Sequence, residues 1–486
     1  METAVPTSAE KQHCWGWPNT TDILAQLNEA GHKLFETAQR KRVDETEAYL
    51  VSNRVLTVRL VNNSVFEVKG VHDIGVGLRV IKDNMLGFSS TADLSKKSLE
   101  KLVDSANATA KARILPFKYT FPRPRKKTNV AGVHDKKLDN IPSEQVVDLA
   151  YGMVEASLAY DRKVKDNAGV LNIVSYQTIT MNTNGVHVNN RGTFFEASLN
   201  ATAKSGSTVS EGSNATAGRN LKELKTEDVG KHAAEMAVTG LKTERLQEGN
   251  YTVILDFEPS QELLGYVSTL VSPMYARLYY PLFLGKTGKK IASTDLTLID
   301  DPLMPRGVGS EPVDDEGTPS KKKIIIQKGI LKDFVYDSFY AAIEKKRTTG
   351  NAVRASLGVG VSSFPGKNYN GEPIPVCRNP YFLPGRWKRD EIIEDTKKGL
   401  LVQRFHYTRL TNPTRGDFTS VLRMGLQMVE NGEVAGAVKK SRLLDNLLNM
   451  LHNVDAVSDK LAVAGTWGSY AHTPIIRTKA RVVPVD

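Results

Sequence analysis

The sequence predicts an α+β fold, on three observations. Strand-like runs come in blocks joined by short turn signals, helical segments stand outside those blocks, and no series of alternating βα units occurs. The expected architecture is an N-terminal domain of mixed helix and strand, with an antiparallel meander and flanking helices, followed by a strand-rich C-terminal domain. Composition-shifted stretches divide the chain into residues 1–115, 116–245 and 246–486.

A first helix is predicted over Asp22–Gln39, because Ile23, Leu24, Leu27, Ala30, Leu34 and Ala38 follow helical spacing behind the capping candidates Thr20, Thr21 and Asp22. The β-branched run Glu47–Val61 reads as a strand that turns at Asn62-Asn63 and pairs with Ser64–Lys69. Gly75–Ile81 and Leu86–Ser89 flank Lys82-Asp-Asn-Met85, a hairpin connection. A helix over about Ser95–Ile114 carries Leu99, Leu102, Val103 and Ala106 on one face. Pro116–Asn129, with three prolines and five basic residues, reads as an exposed linker.

Helix resumes after Pro142-Ser143 and runs to about Tyr160. Strands follow at Val170–Asn182, Val186–Asn189 and Thr193–Ala203, around an Asn184-Gly185 turn. The small-residue run Lys204–Arg219 reads as a long loop or an irregular strand with its side chains outward. A short helix, Thr226–Thr239, leads to the strand Tyr251–Phe257 and a helix from Ser260. Further strands are expected at Lys323–Gln327 and Ile330–Tyr336 around Lys328-Gly329, then Val402–Leu410, Met424–Glu430 and Glu433–Val438, the last two joined by Asn431-Gly432. A helix is predicted at Ser441–Leu451 and a terminal strand at Ala480–Val483.

At 40% hydrophobic and 24% charged residues, the composition fits a globular rather than a disordered protein. No apolar run approaches the ~20 residues of a spanning helix, and Met1–Asn19 lacks the basic start and apolar stretch of a secretory signal, so a cytoplasmic location is expected, with no membrane association. Two cysteines, Cys14 and Cys377, make no disulfide framework. The net charge of +11 raises the question of a polyanionic partner, but the basic runs, Arg123–Lys127 among them, are scattered and lack interleaved aromatics. Nucleic acid is not an expected partner.

Hydrolytic zinc chemistry needs closely placed imidazoles and a carboxylate, so that a bound water ionises near neutral pH. None of the nine histidines pairs with another at such spacing. His232-Ala-Ala-Glu235 lacks a second histidine and reads as structural. Cys377 sits in a proline-bounded loop with no histidine near in sequence. Asp314-Asp315-Glu316, flanked by Pro312 and Gly317-Thr-Pro319, reads as a turn with solvated charges rather than a cation site. Gly75-Val-Gly77 lacks the further glycine and helix of a dinucleotide loop and reads as a sheet strand.

Gly75-Val-Gly-Leu-Arg-Val80, Leu86-Gly-Phe-Ser-Ser-Thr-Ala-Asp-Leu94, Asp256-Phe-Glu-Pro-Ser-Gln-Glu-Leu-Leu-Gly265, Asp315-Glu-Gly-Thr318, Lys328-Gly-Ile-Leu331, Arg415-Gly-Asp-Phe418 and Glu430-Asn-Gly432 resemble, in this order, the TldD/PmbA family, also labelled modulators of DNA gyrase. The resemblance covers most of the chain after the first forty residues. It implies a metallopeptidase-like protein acting on unfolded or small peptides. TldD-type members carry His-Glu-x-x-x-His on the helix after the central strand and a cysteine ligand near the C-terminus. Here the histidine positions fall on Gly265 and Leu270, the glutamate on Tyr266, and the cysteine at or next to Trp467. The resemblance therefore implies a TldE/PmbA-type chain without catalytic or metal-ligating residues of its own. Zinc is expected in a TldD-like partner subunit of a heteromer. A homodimeric peptide-binding protein, and a basic nucleic-acid-associated factor, are the competing readings. Gly265 is expected to serve close helix packing and Leu270 the core, with Tyr266 and Trp467 filling the vacated space.

Overall fold

Residues 20–354, 365–466 and 469–485 are described by the structure, a computed structural model. Helix α1 (Thr20–Arg40) leads into the strands β1 (Glu45–Val61), β2 (Ser64–Lys82) and β3 (Met85–Thr91), then helix α2 (Lys96–Ala110). Helix α3 (Ser143–Tyr160) precedes β4 (Val164–Asn182), β5 (His187–Ser205) and β6 (Thr208–Gly218), and helix α4 (Thr226–Thr239) follows them. The six strands form one sheet in the order β3-β2-β1-β4-β5-β6, every listed pair antiparallel. Strands from either side of the 116–129 stretch therefore lie in the same sheet.

The strands are longer than the sequence suggests. Ser64–Lys69 and Gly75–Ile81 belong to the single strand β2, and Val186–Asn189 and Thr193–Ala203 to β5. The polar residues between them read as breaks, but backbone pairing continues through them: Asp73 opposite Asn53, and Arg191 opposite Gln177. The two turns that sequence marks most clearly do have the left-handed backbone of tight hairpins, at Asn62-Asn63 and Asp83-Asn84. Lys204–Arg219 is a regular strand with an inward face, since a Cβ on Gly212 would lie 2.2 Å from the Ala233 carbonyl of α4. The 116–129 stretch lacks regular structure but is no simple exposed linker. Tyr119 and Phe121 are buried, and Asn84 Nδ2 ties the carbonyls of Leu115 and Phe117.

Two helical layers rest on one face of this sheet. Helices α1 and α2 cover Ala48, Leu50, Val76, Leu78, Val80, Ile179 and Met181, while α3 and α4 cover Leu56, Val58, Leu171, Ile173, Phe195, Ala197 and Leu199. The other face meets the C-terminal half through buried charge. Arg79 on β2 donates to both carboxylate oxygens of Glu47 (2.9 and 2.8 Å) and to Glu316 (2.7 Å). Arg354 also pairs with Glu47, and its backbone N–H donates to Asp315 at 2.7 Å. Arg378 pairs with Asp315, and Lys367 and Arg219 with Glu311. The turn expected to carry solvated charges is thus fully enclosed: Asp314, Asp315 and Glu316 are buried. Its carboxylates accept backbone N–H groups and pair with guanidinium groups. Tyr369 lies across Gly75, where a Cβ would sit 2.3 Å from its ring, which explains the glycine at that strand position.

The C-terminal half is built on a ten-stranded sheet. Its central strand β7 (Gly249–Leu255) lies between Ile476–Pro484, antiparallel, and β8 (Lys398–Val402), parallel. Helix α5 (Phe257–Leu270) follows β7 directly. The expected strand Val402–Leu410 is two strands, β8 and β9 (His406–Asn412), because the chain breaks at 403–405 to bond with α5. The expected helix Ser441–Leu451 starts as a strand, Ser441–Asn446, paired with Asp417–Leu422. It becomes helical only at Leu447–His452, where Asn446 caps it. The hairpin at Lys328-Gly329 forms with a second strand of only Ile330–Leu331. Among the described residues no helix is long and apolar enough to cross a membrane.

Removing one partner from the enclosed charge cluster leaves others buried and uncompensated. Glu47→Ala strands both Arg79 and Arg354 and should cost about 3–5 kcal/mol of stability. A urea titration of the variant against the parent protein measures it.

Candidate functional site

Helix α5 is positioned by its first residues. The Asp256 carboxylate caps it by accepting from the Phe257 N–H, and Arg389 pairs with Asp256 at 3.1 Å. Leu263, Leu264, Val267 and Leu270 form its buried stripe against β7 and the C-terminal core. A second stripe, Glu258, Glu262 and Tyr266, meets the broken segment between β8 and β9. The Phe405 N–H donates to Glu258 Oε2 at 3.0 Å, the Thr408 side chain hydrogen-bonds Glu262, and the Tyr266 hydroxyl donates to the Thr408 carbonyl at 2.8 Å. The Tyr266 ring also stands edge-on to Phe418, with centroids 5.5 Å apart. Beside these contacts Tyr407 is exposed and holds a left-handed backbone, φ 51°, uncommon for a bulky residue.

Burial pushes the Glu258 carboxyl up to about 8; the charge of Glu262 adds to this, and the Arg404 guanidinium and the Phe405 N–H oppose it. Burial also raises Glu262, against Thr408 and Arg404. The buried Oε1 of Glu258 has no hydrogen-bond partner, nor has the buried Nε2 of His472, whose basicity burial lowers. Near neutral pH the pair is thus mostly a neutral acid and a neutral imidazole.

Glu258, Arg404 and His472 line a cavity of about 870 Å³ where the N-terminal sheet meets the C-terminal half. One wall is Ser213–Gly218 of β6, an edge strand of the six-stranded sheet. Another is Ala462–Gly465, whose strand Ala462–Thr466 pairs, among the described residues, only with Ser469–Thr473. His232 and Glu235 of α4 complete a third side, so the pair read as structural borders the cavity.

The positions singled out by sequence divide. Leu270 is fully buried, as expected. Gly265 is not packed closely: a Cβ there would meet nothing within 4 Å. Tyr266 does not fill that space, because it turns toward Thr408 and Phe418. Trp467 lies outside the described residues, as does Cys14. Cys377 is buried, its thiol pushed up by burial and by the neighbouring Asp300. The residues present do not fit a zinc ion. Gly265 and Leu270 offer no lone pair, and the Tyr266 hydroxyl is engaged with a carbonyl. Among the described residues no three His, Cys, Asp or Glu side chains converge to hold a metal. Sequence reading missed Glu258, Arg404 and His472. Only their folding onto one cavity from distant segments marks them.

A strand, a capped helix and a second, parallel strand thus stand beside a cavity between the two halves. Family models match in three consecutive parts: PmbA/TldA metallopeptidase domain 1 over residues 46–110, the central domain over 136–241 and the C-terminal domain over 248–483. The chain belongs to the TldD/PmbA family. It is similar to a metalloprotease TldD homolog of Buchnera aphidicola, 24% identical and covering 83% of each chain. It is also similar to metalloprotease PmbA of Escherichia coli O157:H7, 23% identical over 90% of this chain and 92% of that one. Among solved structures, TldE from Thermococcus kodakarensis superposes with a TM-score of 0.83 at 21% identity, over 93% of this chain and all of that one. A chain from Thermotoga maritima described as a modulator of a DNA gyrase gives 0.81 at 22% identity, over 94% of this chain and all of that one.

Two outcomes follow from this geometry. The Glu258 carboxyl is raised on folding from the ordinary 4.5, so its contribution is fully present below about 4.5 and is lost as pH rises through about 8. Glu258→Gln should flatten the fall in urea midpoint across that window. Restoring a family-type histidine is position-dependent: Gly265→His should leave stability within about 1 kcal/mol, whereas Leu270→His should cost about 2–5 kcal/mol, read by thermal unfolding.

Proposed function

We propose that this chain is a non-catalytic, TldE/PmbA-like subunit of a heteromeric TldD/TldE-type zinc peptidase that degrades unfolded or small peptides. One observation carries the reading. The helix after the central strand keeps its cap, its core stripe and its contacts to 405–408, while the ligand positions are Gly265 and Leu270 and the glutamate position is a tyrosine engaged elsewhere. The zinc and its activated water belong, on this reading, to a TldD-type partner. The names of similar proteins, metalloprotease TldD homolog and TldE, support membership of such a pair. The assembly is proposed to work in the cytoplasm.

The contribution of this chain is a wall of the peptide chamber. An extended peptide has unpaired N–H and C=O groups, and strand edges satisfy them without reading side chains. The small residues of Ser213–Gly218 and Ala462–Gly465 at the cavity leave room for a backbone to approach. The same feature favours a second reading, a homodimeric peptide binder without hydrolytic activity.

Metal analysis and a peptidase assay, on the chain alone and mixed with a TldD-type chain, test the proposal. The isolated chain should hold well under one zinc per molecule and leave an unfolded peptide intact, and the mixture should cleave it. Stoichiometric zinc together with cleavage by the isolated chain overturns the reading. Failure to associate with any TldD-type chain, with retained peptide affinity, favours the homodimer.

A further inference from the structure

Exposed apolar side chains gather just beyond α5. Helix α6 (Pro273–Leu278) is rooted by the buried Met274 and Ala276, and it ends on Leu278, 61% exposed, followed by Tyr279 at 58%. The Tyr279 and Tyr280 N–H groups both donate to the Tyr275 carbonyl, at 2.9 and 2.8 Å. This tight turn brings three rings together: Tyr275 lies 6.2 Å from Tyr279 and 6.5 Å from Tyr280, and those two lie 6.3 Å apart. Tyr280, like Tyr266, packs against the C-terminal core. Leu284 (41%) and Ile330 (39%) are exposed in the segments that follow. Single apolar residues at a surface are ordinary, but a group of them around mutually contacting tyrosines has the make-up of an interface centre.

The same stretch carries unpaired positive charge. After Leu284 the chain runs Gly285-Lys-Thr-Gly-Lys-Lys290, fixed by backbone bonds on the hairpin at Lys328-Gly329. The Gly288 N–H donates to the Leu331 carbonyl at 2.7 Å, the Leu331 N–H to Lys289 at 3.1 Å and the Ile291 N–H to Gly329 at 2.8 Å. Gly285 and Gly288 supply the left-handed backbone of this path, φ 67° and 80°. Lys286, Lys289, Lys290 and Lys328 are thus presented from a fixed frame, and among the described residues none of the four makes an ion pair. Lys286 and Lys289 stand close enough that, together with burial, the charge of Lys289 lowers the Lys286 amine. Acids of the adjoining segments are already taken, Glu344 by Arg277 and Asp333 by Lys346. Like charges held together without a counter-charge repel in the free chain and are relieved when an anionic surface arrives.

We infer that this face is where the partner subunit docks, an assignment that rests on the heteromer reading, and that the partner meets it with an apolar surface rimmed by carboxylates. Leucine, isoleucine and tyrosine need an apolar counterpart, which a nucleic-acid backbone does not offer. The rings are fixed against one another and the lysines sit on a bonded turn, so the surface suits a partner of matching shape rather than a fluid membrane. A second copy fits worse. A two-fold contact sets one patch against itself, and here it would bring lysine to lysine in a chain whose net charge is already +11.

The affinity of the full chain for a TldD-type chain, measured in solution, tests the assignment. Leu278→Ala with Tyr279→Ala, and separately Lys289→Glu with Lys290→Glu, should each raise Kd by about tenfold or more. All four side chains are exposed, so the unfolding transitions should stay close to that of the parent. The loss from charge reversal should shrink as salt rises from about 50 to about 500 mM, and the loss from the alanine pair should not. Lys96→Glu with Lys97→Glu, the same charge change on exposed residues of α2, should leave Kd within about twofold. Unchanged affinity in both patch variants, or an equal loss in the α2 variant, overturns the location and leaves the heteromer standing. Absence of any association by the parent chain overturns the heteromer reading itself, and the docking face with it. Self-association of the parent, or its binding to phosphatidylserine vesicles, that both patch variants abolish gives the face to another occupant and overturns the inference.

Discussion

The structure depends on an enclosed set of opposite charges that ties the N-terminal sheet to the C-terminal half. Glu47 stands at its centre, receiving Arg79 from the neighbouring strand and Arg354 from the far side of the chain. Each charge taken out of water costs several kcal/mol, which only close pairing and hydrogen bonding offset. Glu316 accepts from Arg79 and from the Ser338 N–H and hydroxyl, and Asp315 from Arg378 and the Arg354 N–H, while the buried Nε atoms of Arg354 and Arg378 have no hydrogen-bond partner. Asp337, beside Glu316, is pushed well up by burial and by that neighbouring charge. Apolar contact would hold two faces together without fixing their relation. Guanidinium forks and carboxylates fix both distance and angle, and so set the width of the cavity between the halves.

Helix α5 is held by its own set of contacts. Asp256, Glu258, Glu262 and the leucine stripe secure it to Arg389, to 405–408 and to the core. Position 265 can therefore change without unseating the helix, since a Cβ there meets nothing within 4 Å, whereas Leu270 belongs to the stripe that holds it. Tyr266 adds a structural bond, its hydroxyl donating to the Thr408 carbonyl.

Legibility in the sequence followed locality. The helices α1, α3 and α4 and the hairpins at Asn62-Asn63, Asp83-Asn84 and Asn431-Gly432 rest on contacts within a few residues, and periodicity or turn chemistry reveals them. What escaped depends on distant partners. The acidic turn 314–316 reads as solvated because its arginines lie up to 237 positions away, as Arg79 does from Glu316. The break between β8 and β9 exists because Glu258, 147 positions earlier, takes the Phe405 N–H. The helix expected at 441–451 begins as a strand because pairing with Asp417–Leu422 outweighs its local helical preference. At the candidate site, ordered family motifs pointed to α5, but not to the cavity-lining Glu258, Arg404 and His472.

The two polar features of the N-terminal sheet differ in a way that bears on their roles. On the face toward the C-terminal half, polar groups are enclosed and their charges are paired, so they act as joints. On the helix-covered face, a polar belt at Ser52, Arg54, Ser175 and Gln177 interrupts an apolar surface that two helical layers would otherwise cover continuously. A joint gains from complete pairing, because every unpaired buried group weakens it. The enclosed face meets this condition at Glu47, whose carboxylate accepts from both Arg79 and Arg354. The same strands thus fasten the molecule through charge on one side and through apolar packing under two helical layers on the other.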